Sequence, residues 1–231
     1  MNLRVPCAAA VLGFAVALPR ADAAPGCRLA LVLAMDVSSS VDAKEDAVQR
    51  GGLAAALRAP EVQKAFLAGD LTVALSVYEW SGRYNQEILL DWTLVTGPEV
   101  LDRAAHTIAA SKRSHNDFAT AMGVALGFGA KLFGRGPDCL HKTLDIAGDG
   151  QNNEGMSLTA AYLHFPFDGV TVNGLVVNTA EFEAETGLIA FYQSQVIRGP
   201  GAFIEVAQGF EDYERAMRRK LQRELTLPVI G

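Results

Sequence analysis

Several features are missing or scarce in this 231-residue chain. No Lys/Arg cluster extends into a long basic stripe, and the formal net charge is −6. That argues against nucleic acid as a partner, because phosphate backbones are bound through clustered positive charge. No Gly-x-Ser-x-Gly elbow occurs, so the usual serine-hydrolase signature is missing. No internal repeat, low-complexity tract or long linker divides the chain. Cysteine is scarce, at three residues: Cys7, Cys27 and Cys139. Beyond the N-terminal stretch no apolar run nears the length of a membrane span, so no stable membrane insertion is expected of the mature protein.

What remains is a balanced composition, half hydrophobic and one fifth charged. That supports a single substantial core and one domain. Met1 to Arg4 is basic, Val5 to Leu18 is mostly apolar, and Ala21-Asp22-Ala23 closes with small residues. This is the layout of a secretory signal peptide over residues 1–23, leaving a domain over 24–231. A periplasmic or extracellular location follows as an expectation. Cleavage would remove Cys7 and carry Cys27 and Cys139 into an oxidising compartment, where a disulfide is the natural pairing. Two buried free thiols are the alternative.

Apolar runs alternate with helical stretches. Strands are expected over Leu29–Asp36, Leu71–Trp80, Asn85–Leu94, His141–Ala147, Val170–Val177 and Ala202–Val206. Helices are expected from Val41 to Leu57, Pro98 to about Ala110, Phe118 to Phe133, Ser157–Phe165, Glu183–Gln195 and Phe210 to Leu225. The first helix reads as lightly packed through Ala47, Val48, Gly51 and Ala55, with Asp42 and Glu45 at capping-box spacing. In the last helix Phe210, Tyr213, Met217, Leu221 and Leu225 form the inner face. Arg215, Arg218, Arg219, Lys220 and Arg223 read as a solvated face. Gly174 marks a bulge or a close backbone approach.

This alternation predicts an α/β fold with a mostly parallel sheet and helices on both faces. The short turn Ser81-Gly82-Arg83 makes the third strand antiparallel to the second. In such sheets ligands bind beyond the carboxyl ends of the strands, where strand order reverses. Asp36 and Asp149 both lie at such ends. Cys27 and Cys139 lie near the starts of the same two strands. If those strands are neighbours, the acids meet at one edge and the cysteines at the other.

The chemistry concentrates in Asp36-Val37-Ser38-Ser39-Ser40, with Thr120 and the loop Gly148-Asp149-Gly150. Carboxylate, hydroxyl and water oxygens suit a hard divalent cation, and Mg²⁺ keeps several waters. Mn²⁺ is the expected substitute. Asp36, Ser38, Ser40, Thr120 and Asp149 are therefore the candidate metal ligands. His115, Asp117, Asn152 and Asn153 are candidate rim residues. Plainer readings stand beside these. The serines could cap a helix, Asp149 could be a turn residue, Thr120 a helix-start hydroxyl, and Asp117 an N-cap.

Asp-x-Ser-x-Ser after a first strand, a Thr in a middle loop and an Asp after the fourth strand resemble the metal-ion-dependent adhesion site of von Willebrand factor A domains. Ile146-Ala147-Gly148-Asp149-Gly150-Gln151-Asn152-Asn153, Val172-Asn173-Gly174-Leu175 and Gly199-Pro200-Gly201-Ala202-Phe203 are similar to motifs of a group of secreted bacterial proteins of this type with no assigned function. The resemblance implies a doubly wound six-stranded sheet of order 3-2-1-4-5-6, with strand 3 as an antiparallel edge. It also implies Mg²⁺ and a protein partner that supplies an acidic residue as the last ligand. Phe118 and Ala119 depart from the small residues that often precede the Thr in that family. Two other functions remain open. One is a metal-assisted hydrolase using the same cation, with His115 and Asp117 nearby. The other is a metal-free assembly scaffold.

Overall fold

A computed structural model describes residues 26–178 and 186–226. The expected signal peptide, the start of the Glu183–Gln195 helix and residues 227–231 lie outside the described residues.

Six strands form one sheet: β1 (Cys27–Asp36), β2 (Thr72–Ser81), β3 (Asn85–Val95), β4 (Cys139–Gly148), β5 (Val170–Asn178) and β6 (Ile204–Gln208). Their order is β3-β2-β1-β4-β5-β6, with β3 antiparallel to β2 and the other neighbours parallel. The expected doubly wound α/β sheet is therefore the observed one. Strand order reverses between β1 and β4.

Burial on both faces explains the unbroken apolar run of β1. Leu29, Leu31, Leu33 and Met35 enter one core layer, and Ala30, Val32 and Ala34 enter the other. The first layer is completed by α1 (Ala43–Arg58), α2 (Pro60–Phe66), α3 (Pro98–Ala110) and α7 (Tyr213–Thr226). The second is completed by α4 (Met122–Leu132), α5 (Leu158–His164) and α6 (Thr186–Phe191).

Several boundaries differ from the sequence expectation. The first helix stops at Arg58, and Pro60 opens α2 as its first-turn residue. Proline is suited to that position because its missing N–H is not needed there. The helix expected from Phe118 begins at Met122, so Phe118 to Ala121 are loop. It does not stop at Gly134 but tightens into a 3₁₀ turn over Phe133–Arg135. Phe210–Asp212 is likewise a 3₁₀ turn leading into α7. After α6 the chain widens into a π-helical turn, Tyr192–Val196.

Two packing expectations are corrected. The buried side of α1 is not Ala47, Val48, Gly51 and Ala55; Ala47 and Gly51 are exposed. Asp46, Gln49, Arg50, Leu53, Ala54 and Leu57 are buried instead. Arg50 donates to Asp46 and Glu79, which neutralises charge that would otherwise be costly there. Lys220 is not solvated but 0 % exposed, paired with Asp145 and Glu224. Periodicity cannot see either case, because charges bury when partners from other elements meet them.

Cys27 and Cys139 are direct neighbours in the β1–β4 register and are joined as a disulfide, with Cα atoms 4.5 Å apart. The bridge ties the lower edge of the two strands that flank the switch point.

Candidate metal centre

At the upper edge β1 ends in Asp36 and turns through Ser38 to Ser40 into α1. Asp36 Oδ1 accepts the Ser38 N–H at 2.7 Å, which closes the turn locally. The Val41 N–H reaches the Ser38 carbonyl at 3.0 Å. The capping box forms at Asp42, which accepts from Lys44 N and Glu45 N, while Glu45 accepts the Asp42 N–H. The serines are therefore free of capping duty for α1, and the plainer reading of them loses its basis.

Five oxygen-bearing side chains converge. The Ser38 and Ser40 hydroxyls lie 3.1 Å apart. Thr120 Oγ1 is 3.2 Å from Ser38 Oγ. Ser40 Oγ donates to Asp149 Oδ1 at 2.7 Å. Asp36, Ser38 and Thr120 are buried, while Ser40 is exposed and Asp149 half-buried. The cluster thus opens to solvent on the Ser40–Asp149 side. Gly150 borders it, with a Cβ there lying 3.5 Å from Thr120 Oγ1.

Asp36 Oδ2 is the unusual atom. It is buried and has no hydrogen-bond partner. A buried carboxylate oxygen left without a donor is expensive. Burial first, and the Asp149 carboxylate second, push Asp36 up to about 8. Burial also raises Asp149. Two facing carboxylates with raised proton affinity hold negative charge poorly by themselves. A divalent cation between them would reverse that, favouring the ionised forms. The donor set fits such an ion: two carboxylates, three neutral hydroxyls and an open side for water. Three of the set's five members are hydroxyls and none is a sulfur or imidazole, which suits a hard cation.

Neighbouring loops hold the geometry. Asn153 Oδ1 accepts the Thr120 N–H at 2.9 Å, and the Asn153 N–H returns to the Thr120 carbonyl at 2.9 Å. Asn152 Oδ1 accepts the Gly123 N–H at 3.0 Å. These two residues brace the Thr120 loop. His115 is turned to Asn85 Oδ1 at 2.9 Å and stacks at 4.6 Å on Phe118. Asp117 is exposed, and it is not the N-cap of α4, where Ala121 stands without a side-chain cap.

One residue was not foreseen. Arg113 donates to the carbonyls of Val37 at 2.7 Å, Ser38 at 2.8 Å and Val41, and so clamps the whole Asp36–Val41 turn. The planar guanidinium can serve several acceptors at once. Nothing local in Ser111–Asp117 signals this. Only tertiary placement of the loop over β1 does. Gln49 adds a bond from Nε2 to the Asp36 carbonyl at 2.7 Å.

The fold is shared with solved structures. Proximal thread matrix protein 1 from mussel byssus, in a form described as having a zinc-occupied MIDAS motif, aligns with TM-score 0.61 at 15% identity, covering 87% of this chain and 48% of that one. The pilus adhesin SpaC from Lactobacillus rhamnosus GG aligns with TM-score 0.62 at 12% identity, over 86% of this chain and 31% of that one. A von Willebrand factor type A protein from Catenulispora acidiphila aligns with TM-score 0.57 at 13% identity, over 87% and 43%. The chain spans less than half the length of each. These likenesses establish a von Willebrand factor A-like fold. No curated protein matches in sequence. A family model does match, over residues 26–229, and the chain belongs to that family, DUF1194, described as a protein of unknown function.

Proposed function

We propose that this protein is a secreted or periplasmic binding module that engages a partner protein's carboxylate through a divalent cation. Asp36, Ser38, Ser40, Thr120 and Asp149 would hold the ion, with Mg²⁺ as the physiological cation and Mn²⁺ as a substitute. The observation that carries the reading is Asp36 Oδ2, buried without a donor beside a second carboxylate and three converging hydroxyls. Neutral hydroxyls leave a cation more electrophilic than a carboxylate cage would. It therefore retains an appetite for one acidic group from outside. The zinc described in the mussel matrix protein supports a divalent ion as the class. The adhesin and matrix neighbours support protein binding as the role.

The hydrolase alternative rested on an open metal position near His115 and Asp117; His115 is engaged with Asn85 and Phe118, and Asp117 is exposed. The binding reading is therefore preferred. Among the described residues no helix is long and apolar enough to cross a membrane.

Titration calorimetry with Mg²⁺ and Mn²⁺ tests the site. Binding by the unaltered protein and its loss in Asp36→Ala are expected. Binding that survives in Asp36→Ala, or its failure in the unaltered protein even with a partner present, would sink the reading. Capture from periplasmic extract in Mg²⁺, against chelator, then tests the partner.

A further inference from the structure

Tyr192 reaches the metal centre from the far side of β4 and β5. It is the first residue of the π-helical turn Tyr192–Val196, and its side chain is 0 % exposed. Such turns displace one residue from the regular helical rhythm and often occur at functional sites. Two glycines open its path. A Cβ on Gly174 of β5 would sit 2.5 Å from the Tyr192 ring at Cδ1. A Cβ on Gly148 of β4 would sit 2.9 Å from the Tyr192 hydroxyl and 2.8 Å from Asp36 Oδ2. The phenol oxygen and the orphan carboxylate oxygen therefore both lie within 2.9 Å of the position that a Gly148 side chain would take.

Both oxygens are buried, and neither has a hydrogen-bond partner. Their needs are complementary, since the phenol has a hydrogen to give and the carboxylate has lone pairs to fill. Buried tyrosine hydroxyls ordinarily find a partner. A phenol is protonated at neutral pH and is therefore a donor.

We infer that Tyr192 is a positioning residue for the cation site, its hydroxyl donating through a single bridging water to Asp36 Oδ2 past Gly148, whose lack of a side chain leaves both oxygens unobstructed. This rests on the metal-binding reading. Asp36 Oδ1 is already fixed by the Ser38 N–H. Anchoring Oδ2 as well stops the carboxylate rotating about its Cβ–Cγ bond. Each carboxylate oxygen has two lone pairs, so Oδ2 can accept from the water and still face an ion. Partners behind the direct ligands commonly change metal affinity by about 10- to 100-fold. Gly148 and Gly174 acquire a shared purpose, as clearance for one side chain.

The test compares Tyr192→Phe with Tyr213→Phe. Tyr213 also carries a fully buried hydroxyl without a partner, but it packs in the opposite core layer. Mg²⁺ affinity by calorimetry is expected to fall about tenfold in Tyr192→Phe and to stay unchanged in Tyr213→Phe. The cation-free melting temperature of Tyr192→Phe is expected to stay near the parent value, because one water-mediated bond is lost while the packing of the ring is kept. Wild-type affinity in Tyr192→Phe would overturn the inference, as would equal weakening in both variants. If the unaltered protein binds neither Mg²⁺ nor Mn²⁺, the metal reading itself falls and this one with it.

Discussion

The Lys220 ammonium on α7 lies 2.8 Å from Asp145 Oδ1 in the middle of β4, and both side chains are shut off from water. The approach is close without hydrogen-bond alignment. Glu224 Oε1 accepts from Lys220 at 2.7 Å and from Asn173 at 2.8 Å. One cation thus serves two carboxylates in a dry layer, and α7 is pinned to the sheet through charge as well as apolar contact.

Replacing Lys220 with Met should be among the most damaging single changes. It leaves Asp145 and Glu224 buried without their cation, a loss of about 3–5 kcal/mol. Urea unfolding at neutral pH checks this. A change under 1 kcal/mol would mean that water reaches the pair.

Stability should also carry a pH signature from Asp145. Burial and Glu224 push its carboxyl up to about 7, above the ordinary value of 3.8. Between those pH values the folded state holds a proton that the unfolded state has released. Its contribution is complete below about pH 4 and is lost as pH rises through about 7. Asp145→Asn should remove that part of the decline. Parallel stability curves for the two proteins from pH 4 to 7.5 would contradict the assignment.

Breaking the disulfide should weaken the fold without touching the candidate metal centre. The bridge closes a loop spanning 112 residues of sequence. Removing it costs about 2–5 kcal/mol. Unfolding of Cys27→Ala/Cys139→Ala is the measurement, with Mg²⁺ affinity expected to remain near the parent value. A lost affinity would show that the two ends of β1 and β4 are not independent.

Arg113→Lys should lower Mg²⁺ affinity by about tenfold, since a single ammonium cannot clamp three carbonyls of the metal turn at once. Calorimetry and melting temperature together separate a loosened turn from a damaged fold. Unchanged affinity would leave Arg113 as a packing residue only.

The fold was legible because its elements obey local rules. The doubly apolar run of Leu29 to Met35 announces a buried strand, and Gly82 in a short polar turn announces the β2–β3 hairpin. The resemblance supplied the strand order. The convergence of Asp36, Ser38, Ser40, Thr120 and Asp149 was legible through motif spacing. What stayed hidden depends on partners far apart in sequence. Lys220 looks like a surface lysine until Asp145 is placed beneath it. Arg113 sits 75 residues from the Ser38 carbonyl it holds. Asn152 and Asn153 read as rim residues, and the spacing gave no sign that their side-chain oxygens accept the Gly123 and Thr120 N–H groups.

The Cys27–Cys139 bridge also has a mechanical meaning. Asp36 and Asp149 stand at the upper ends of the two strands that this bridge joins below. A pull applied at the candidate metal centre would be shared between β1 and β4. The covalent tie at the base holds the two strands in register, so a load taken up by one is passed to the other.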